Sequence, residues 1–223
     1  MEVMPHSYTN HTVRSGQVVT KSYLGPDAAR RCAREASVLA ALAGKLPVPP
    51  LIGQSGTAVS MGLMPGVHGQ ELVADGLTPA VLRACGVMLR RIQATDPRLI
   101  TKDAATGAVL VHGDYGPNNV LLDPAAEQIT AIVDWEWAHV GDPVEDLAWC
   151  EWIIRMHHPG QAGSIGELFG GYGCRPTWAA RHQAMLSKCQ YHLSLSERQE
   201  TTGGDDGTLR WQKFLSVTRS WSD

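Results

Sequence analysis

The stretch 108–134 restricts this chain most. It holds three apolar runs, 108–111, 120–122 and 129–133, each too short for a helix and each expected to be a strand. Polar residues crowd the ends of these runs. Asp114 follows the first, Asn119 immediately precedes the second, and Asp134 directly follows the third. Two carboxylates and an amide oxygen held at strand ends make a hard oxygen site suited to Mg²⁺. A carboxylate not consumed by metal can orient and deprotonate a hydroxyl. Positioned metal, positioned nucleophile and a base are what phosphoryl transfer requires of a protein.

The segments on either side differ in character. Upstream, residues 13–15 and 17–23 are β-prone runs separated by Ser15-Gly16, a hairpin signal. A helical pattern opens at Pro26-Asp27 and stops at Gly44, with Cys32, Ala36, Leu39, Ala40 and Ala43 as its predicted buried face. Pro47, Pro49 and Pro50 prohibit helix, and 51–53 and 57–63 read as two more strands around Gln54-Ser55-Gly56. Met64-Pro65-Gly66 is a connector. After it helices dominate. One starts at Thr78-Pro79 with Thr78 as cap, and another at Asp142-Pro143 with Glu145 completing a capping box. Further helices are expected at 162–170, 176–195 and 208–219. The expectation is therefore an α+β chain, β-rich in residues 1–64 and mainly helical in 65–223, joined near residues 64–66.

Bulk composition narrows the partners. A hydrophobic content of 43% is enough for a packed core. The formal charge of −3 argues against a nucleic-acid binder built on phosphate neutralisation and mildly favours a neutral or cationic partner. Cys32, Cys85, Cys150, Cys174 and Cys189 are scattered with no CxxC pair, which fits a reducing cytoplasm better than disulfides or a zinc site. No run is apolar and long enough to span a bilayer, and the first ten residues lack the apolar core of a secretory signal. A cytoplasmic protein without membrane partners is expected. Oligomeric state is not legible.

The segment His112-Gly113-Asp114-Tyr115-Gly116-Pro117-Asn118-Asn119, followed by Asp134-Trp135-Glu136-Trp137, resembles the aminoglycoside phosphotransferase and choline kinase group, distant relatives of protein kinases. The resemblance implies a bilobal, protein-kinase-like fold. Residues 1–64 would be a reduced nucleotide-binding lobe, and 65–223 a helical lobe carrying the catalytic and acceptor sites. It implies that Asp114 is the catalytic base, that Asn119 and Asp134 hold Mg²⁺, and that Lys21 on a strand holds the phosphates of ATP or GTP, braced by Glu35. The nucleotide base would lie against Leu63 and Met64. The acceptor would be a hydroxyl of a small molecule, an aminoglycoside-like antibiotic or an amino alcohol. One departure stands out: Ser7-Tyr8-Thr9-Asn10-His11 has no glycine where a phosphate-covering loop belongs.

Several residues carry two readings. Asp142 is read as a helix cap rather than a functional carboxylate. The resemblance implies that Asp146 braces the catalytic loop, against a plain solvated helix position. His112 is read as a structural histidine, because no second His stands at ligand spacing. His157-His158 reads as a frayed helix end. Trp149 and Trp152, three apart, are read as core, whereas Trp135 and Trp137 divide evenly between pocket and packing. Glu136 and Trp135 are the substrate-contact candidates, Glu136 favouring a cationic acceptor. Two rivals remain open: a metal-dependent phosphoesterase, which the scattered histidines disfavour, and a nucleotide-binding pseudokinase.

Overall fold

The computed structural model describes residues 2–4, 10–25, 27–200 and 207–223. The glycine-free residues 7–9 and Pro26 lie outside these.

The N-terminal part is one antiparallel sheet of five strands in the order β1-β2-β3-β5-β4: β1 (Glu2–Val3), β2 (His11–Ser15), β3 (Val18–Ser22), β4 (Leu51–Ser55) and β5 (Ala58–Gly62). The β2–β3 hairpin turns at Ser15-Gly16, with Ser15 opposite Val18. Period-two alternation buries Val19 and Lys21 on one face of β3. Helix α1 (Ala28–Leu42) links β3 to β4 and packs against β4 and β5. Its buried residues include Arg31, Cys32, Glu35, Ala36, Val38, Leu39 and Leu42. Ala40 and Ala43 are exposed, so the apolar face predicted from spacing is turned. Two charged residues, Arg31 and Glu35, occupy the inner stripe instead, because each meets an opposite charge there.

The connector after β5 is pinned: Thr130 Oγ1 donates to Pro65 O at 2.6 Å. It leads through β6 (Val67–His68) and a short helix α2 (Gly69–Ala74) to α3 (Thr78–Gln93). Thr78 is not the cap. It is the first helical residue, Leu77 precedes it, and the hydroxyl is spent on Val73 O at the end of α2. Next come β7 (Val109–Val111), β8 (Val120–Leu122), β9 (Ile129–Ile132) and β10 (His139–Gly141). They form a β6-β8-β9 sheet and a β10–β7 pair. The helices α4 (Val144–His157), α5 (Ile165–Tyr172), α6 (Trp178–Glu200) and α7 (Gly207–Arg219) complete the chain. The start of α4 is capped reciprocally, Asp142 N donating to Glu145 Oε1 (2.7 Å) and Val144 N to Asp142 Oδ1 (2.9 Å).

One apolar core runs from the five-stranded sheet into α3, α5 and the short strands, and a second joins α4, α6 and α7 through Trp149, Trp152, Met185 and Leu215. The five cysteines are free. No helix among the described residues is long and apolar enough to cross a membrane.

Candidate active site

Register explains how the polar ends meet. In the β8–β9 pair Val120 lies opposite Ile132, and Val133 N donates to Asn119 O at 3.0 Å, so Asn119 and Asp134 are brought alongside. The loop leaving β7 carries Asp114 to the same place. That loop is held from three directions. Asp146, buried in α4, accepts from the backbone N–H of His112 (2.6 Å) and Gly113 (2.9 Å). His112 is fully buried. Its Nε2 donates to Val133 O at 2.9 Å, which leaves Nδ1 to accept from Asp114 N at 3.2 Å. Tyr115 OH donates to Cys85 O in α3 at 2.8 Å. Gly113 has φ +86°, and a Cβ there would run into the Trp137 carbonyl, so the turn needs glycine twice over.

Asp114 itself is half-buried. Its Oδ1 accepts from Trp149 Nε1 at 2.7 Å and its Oδ2 from Asn119 Nδ2 at 2.9 Å. Burial pushes the carboxyl above its ordinary value, opposed by Lys188 and by the indole bond. Asn119 Nδ2 also donates to Asp114 O at 2.7 Å. That fixes the amide so that Oδ1 remains as a metal-type donor.

Lys21 binds Glu35 (2.8 Å) and Asp134 (2.6 Å), with Glu136 at 3.7 Å. Burial works against its charge, but Asp134, Glu35 and Glu136 outweigh it and hold the ammonium above its ordinary pKa. Asp134 adopts the left-handed region (φ 68°), which a short polar side chain tolerates better than most. Glu35 also accepts from Trp135 N at 3.1 Å and from Tyr23 OH. Glu136 is buried, accepting from Arg31 at 2.8 Å and from Asn10 at 3.1 and 3.2 Å. Burial, aided by Asp134, pushes its pKa up to about 7. Glu35, Asp134 and Glu136 each bring an oxygen within 4.8 Å of the others. Lys21 and Arg31 already balance much of that charge.

The donor set suits magnesium. Asp134 and Asn119 offer only oxygen to a cation, Asp134 is partly exposed, and both sit beside Lys21 or Asp114. Leu63 and Met64, half-buried, directly follow β5, with Leu63 N donating to Gln17 O at 2.8 Å.

A cavity of about 730 Å³ opens beside the Asp114 loop. Its walls come from α1, the 136–139 segment, the start of α4, and α6. Trp137 and Trp149 line it. Trp135 does not: its ring is fully buried, lies 4.5 Å from that of His112, and donates through Nε1 to Ile132 O. Two contacts escaped sequence reasoning. The Trp149 bond to Asp114 has one weak signal, its position one turn after Asp146. Lys188, on α6, donates to Gly113 O beside Asp114, and no motif marks it.

These elements define a protein of the kinase-like phosphotransferase class. The model of the Phosphotransferase enzyme family (APH) matches residues 5–106 and 101–183. The chain belongs to this family. Hygromycin-B 4-O-kinase of Escherichia coli is 31% identical over 110 residues, which are 44% of this chain and 29% of that enzyme. The match thus spans less than a third of the curated relative's length. Among solved structures, macrolide 2'-phosphotransferase MphH from Brachybacterium faecium superposes with a TM-score of 0.66 at 18% identity, covering 100% of this chain and 92% of that one. The GDP complex of wild-type aminoglycoside 2'-phosphotransferase-IIIa gives 0.75 at 13% identity, covering 98% and 92%. The fold is therefore the bilobal α+β fold of these phosphotransferases.

Proposed function

We propose that this protein transfers the γ-phosphoryl group of ATP or GTP to a hydroxyl of a small molecule. The observation that carries the reading is the convergence of Asp114, Asn119, Asp134 and Lys21 beside a cavity large enough for a drug-sized acceptor. Residues 1–64 form the nucleotide-binding lobe and 65–223 the acceptor lobe, with the base against Leu63 and Met64. Lys21, braced by Glu35, receives the non-transferred phosphates. Asn119 and Asp134 hold Mg²⁺, which when bound neutralises charge on the phosphates. His112 and Asp146 keep the loop in shape.

Asp114 orients the acceptor hydroxyl. Each of its oxygens accepts one bond from the chain and retains a lone pair, and its raised pKa makes it a better base. As the acceptor oxygen bonds to γ-phosphorus, its proton passes to Asp114. The bond from γ-phosphorus to the bridging oxygen breaks, and the nucleoside diphosphate leaves with that electron pair. The names of the relatives make hydroxylated antibiotics the first acceptors to try, with amino alcohols next. Resistance in the cytoplasm is the corresponding biological setting.

Asp114→Ala is expected to lower turnover by about 10²–10⁴-fold, the usual worth of a positioned base, while ATP-Mg²⁺ still raises the melting temperature. Near-normal turnover in that variant would remove Asp114 from the role. Nucleotide binding without transfer to any hydroxyl acceptor would favour the pseudokinase reading instead.

A further inference from the structure

Gly113 stands between β7 and Asp114 with φ +86°. Glycine restricts its own dihedrals less than any other residue. The orientation of the peptide plane between Gly113 and Asp114 is therefore set by what that plane is bonded to. Asp146 fixes only the preceding plane, through Gly113 N. On the plane itself, the N–H of Asp114 reaches His112 Nδ1 at 3.2 Å, the long end of the hydrogen-bond range. Its carbonyl, Gly113 O, accepts from Lys188 Nζ of α6.

Lys188 holds this place at a cost. Burial is the chief influence on its ammonium and lowers its pKa, against the pull of Asp114, Asp146 and Glu145, which all face it. The side chain lies over the rings of Trp149 (5.7 Å) and Tyr191 (5.5 Å). An apolar residue of similar reach would cover those rings without burying a charge. What the ammonium adds is the bond to Gly113 O.

We propose that Lys188 is a positioning residue for the reaction: reaching from α6, it fixes the Gly113–Asp114 peptide plane and so sets the direction in which Asp114 presents its carboxylate to the acceptor. Trp149 and Asn119 hold the two oxygens of Asp114, and Lys188 holds the backbone at its root. The role in turnover rests on the kinase reading. The hold on the loop does not.

Amide exchange across residues 112–119, read by mass spectrometry on the full chain, tests that hold directly. Lys188→Met removes the bond and keeps an apolar side chain over Trp149 and Tyr191. It should exchange the segment roughly tenfold faster, the worth of one hydrogen bond in a local opening. Exchange in α3 and α5 and the melting temperature should not change. Lys188→Arg restores a charged donor, and the cavity that Lys188 lines has room for the larger head group. Its loop should exchange as in wild type. Loop exchange that Lys188→Met leaves unchanged, or that Lys188→Arg fails to restore, would overturn the proposal. So would faster exchange throughout the chain, which marks a residue needed only for stability.

Turnover of ATP-Mg²⁺ with hygromycin B or kanamycin is the second readout. Lys188→Met is expected to lose roughly 10²-fold in kcat, the scale of a misplaced catalytic group, at unchanged KM for ATP. Lys188→Arg should recover most of it. A loosened loop with full kcat would overturn the positioning role. Wild type that transfers to neither compound and to no other hydroxyl would sink the kinase reading, while amide exchange still decides the hold on the loop.

Discussion

At Asp114 the two carboxylate oxygens are held by side chains from different parts of the chain, Asn119 from its own loop and Trp149 from α4. The indole therefore serves two purposes. Its ring stacks on Trp152 at 4.2 Å in the second core, and its N–H aims a functional group. Trp149→Phe keeps much of the stacking surface and removes the bond. We expect a loss of roughly tenfold in kcat, in line with about 1–2 kcal/mol for a hydrogen bond to a charged group. The indole bond lowers the Asp114 pKa against burial. Its loss raises that pKa, so the acid limb of the kcat profile should move to higher pH. A limb that stays in place, or moves to lower pH, would show that the bond does not tune Asp114. Sequence spacing placed Trp149 correctly on a buried helix face, but the partner of its N–H lies 35 residues away and is invisible to spacing.

Helices α3 and α5 pack backbone against backbone, and two glycines permit it. A Cβ on Gly86 would collide with Leu168 O and Tyr172 N, and one on Gly171 with Arg83 O. Both neighbours are backbone, so a side-chain rotation cannot relieve the clash. Gly86→Ala gains at most about 1 kcal/mol of helix propensity. Against that stands the cost of separating two packed helices, at or above the upper end of roughly 1–3 kcal/mol for overpacking. The variant should be destabilised by about 2 kcal/mol or more, read from the urea midpoint. An unchanged midpoint would mean the helices can slide apart freely. At this scale the sequence was largely legible. The hairpin at Ser15-Gly16, the strands on either side of the catalytic loop and the Asp142–Glu145 cap all follow from local rules. The misreading of α1 has a plain cause. Ala40 and Ala43 fit the apolar period of α1, yet Arg31 and Glu35 take the inner stripe because charges from other elements await them.

Across the molecule, Glu136 ties the N-terminal part to the rest: it binds Arg31 of α1 and Asn10 ahead of β2 while sitting two residues from Asp134. Its folded pKa of about 7 stands above the ordinary 4.5 of a glutamate. The native state then binds this proton more tightly than the unfolded chain. On this group's account stability is greatest below about pH 4.5 and is lost as pH rises through about 7. A rise of this size corresponds to roughly 3 kcal/mol. The stability advantage of wild type over Glu136→Gln should therefore shrink between pH 5 and pH 8 in chemical denaturation. An advantage that is flat or grows over that range would refute the assignment.

The sequence by itself determined the class of chemistry: HGD, then Asn119 and Asp134 at strand ends, with Lys21 on a strand ahead of Glu35. These are local patterns whose spacing and strand-end positions are fixed by period-two geometry and tight turns. Only the tertiary structure decided the rest. It set which way Trp135 and Trp149 point, that Glu136 is bound by Arg31 and Asn10, and that Arg34 and Lys188, 154 positions apart in the chain, line one cavity. Such charges acquire their partners from packing between distant elements, and nothing in one segment encodes what the other will present.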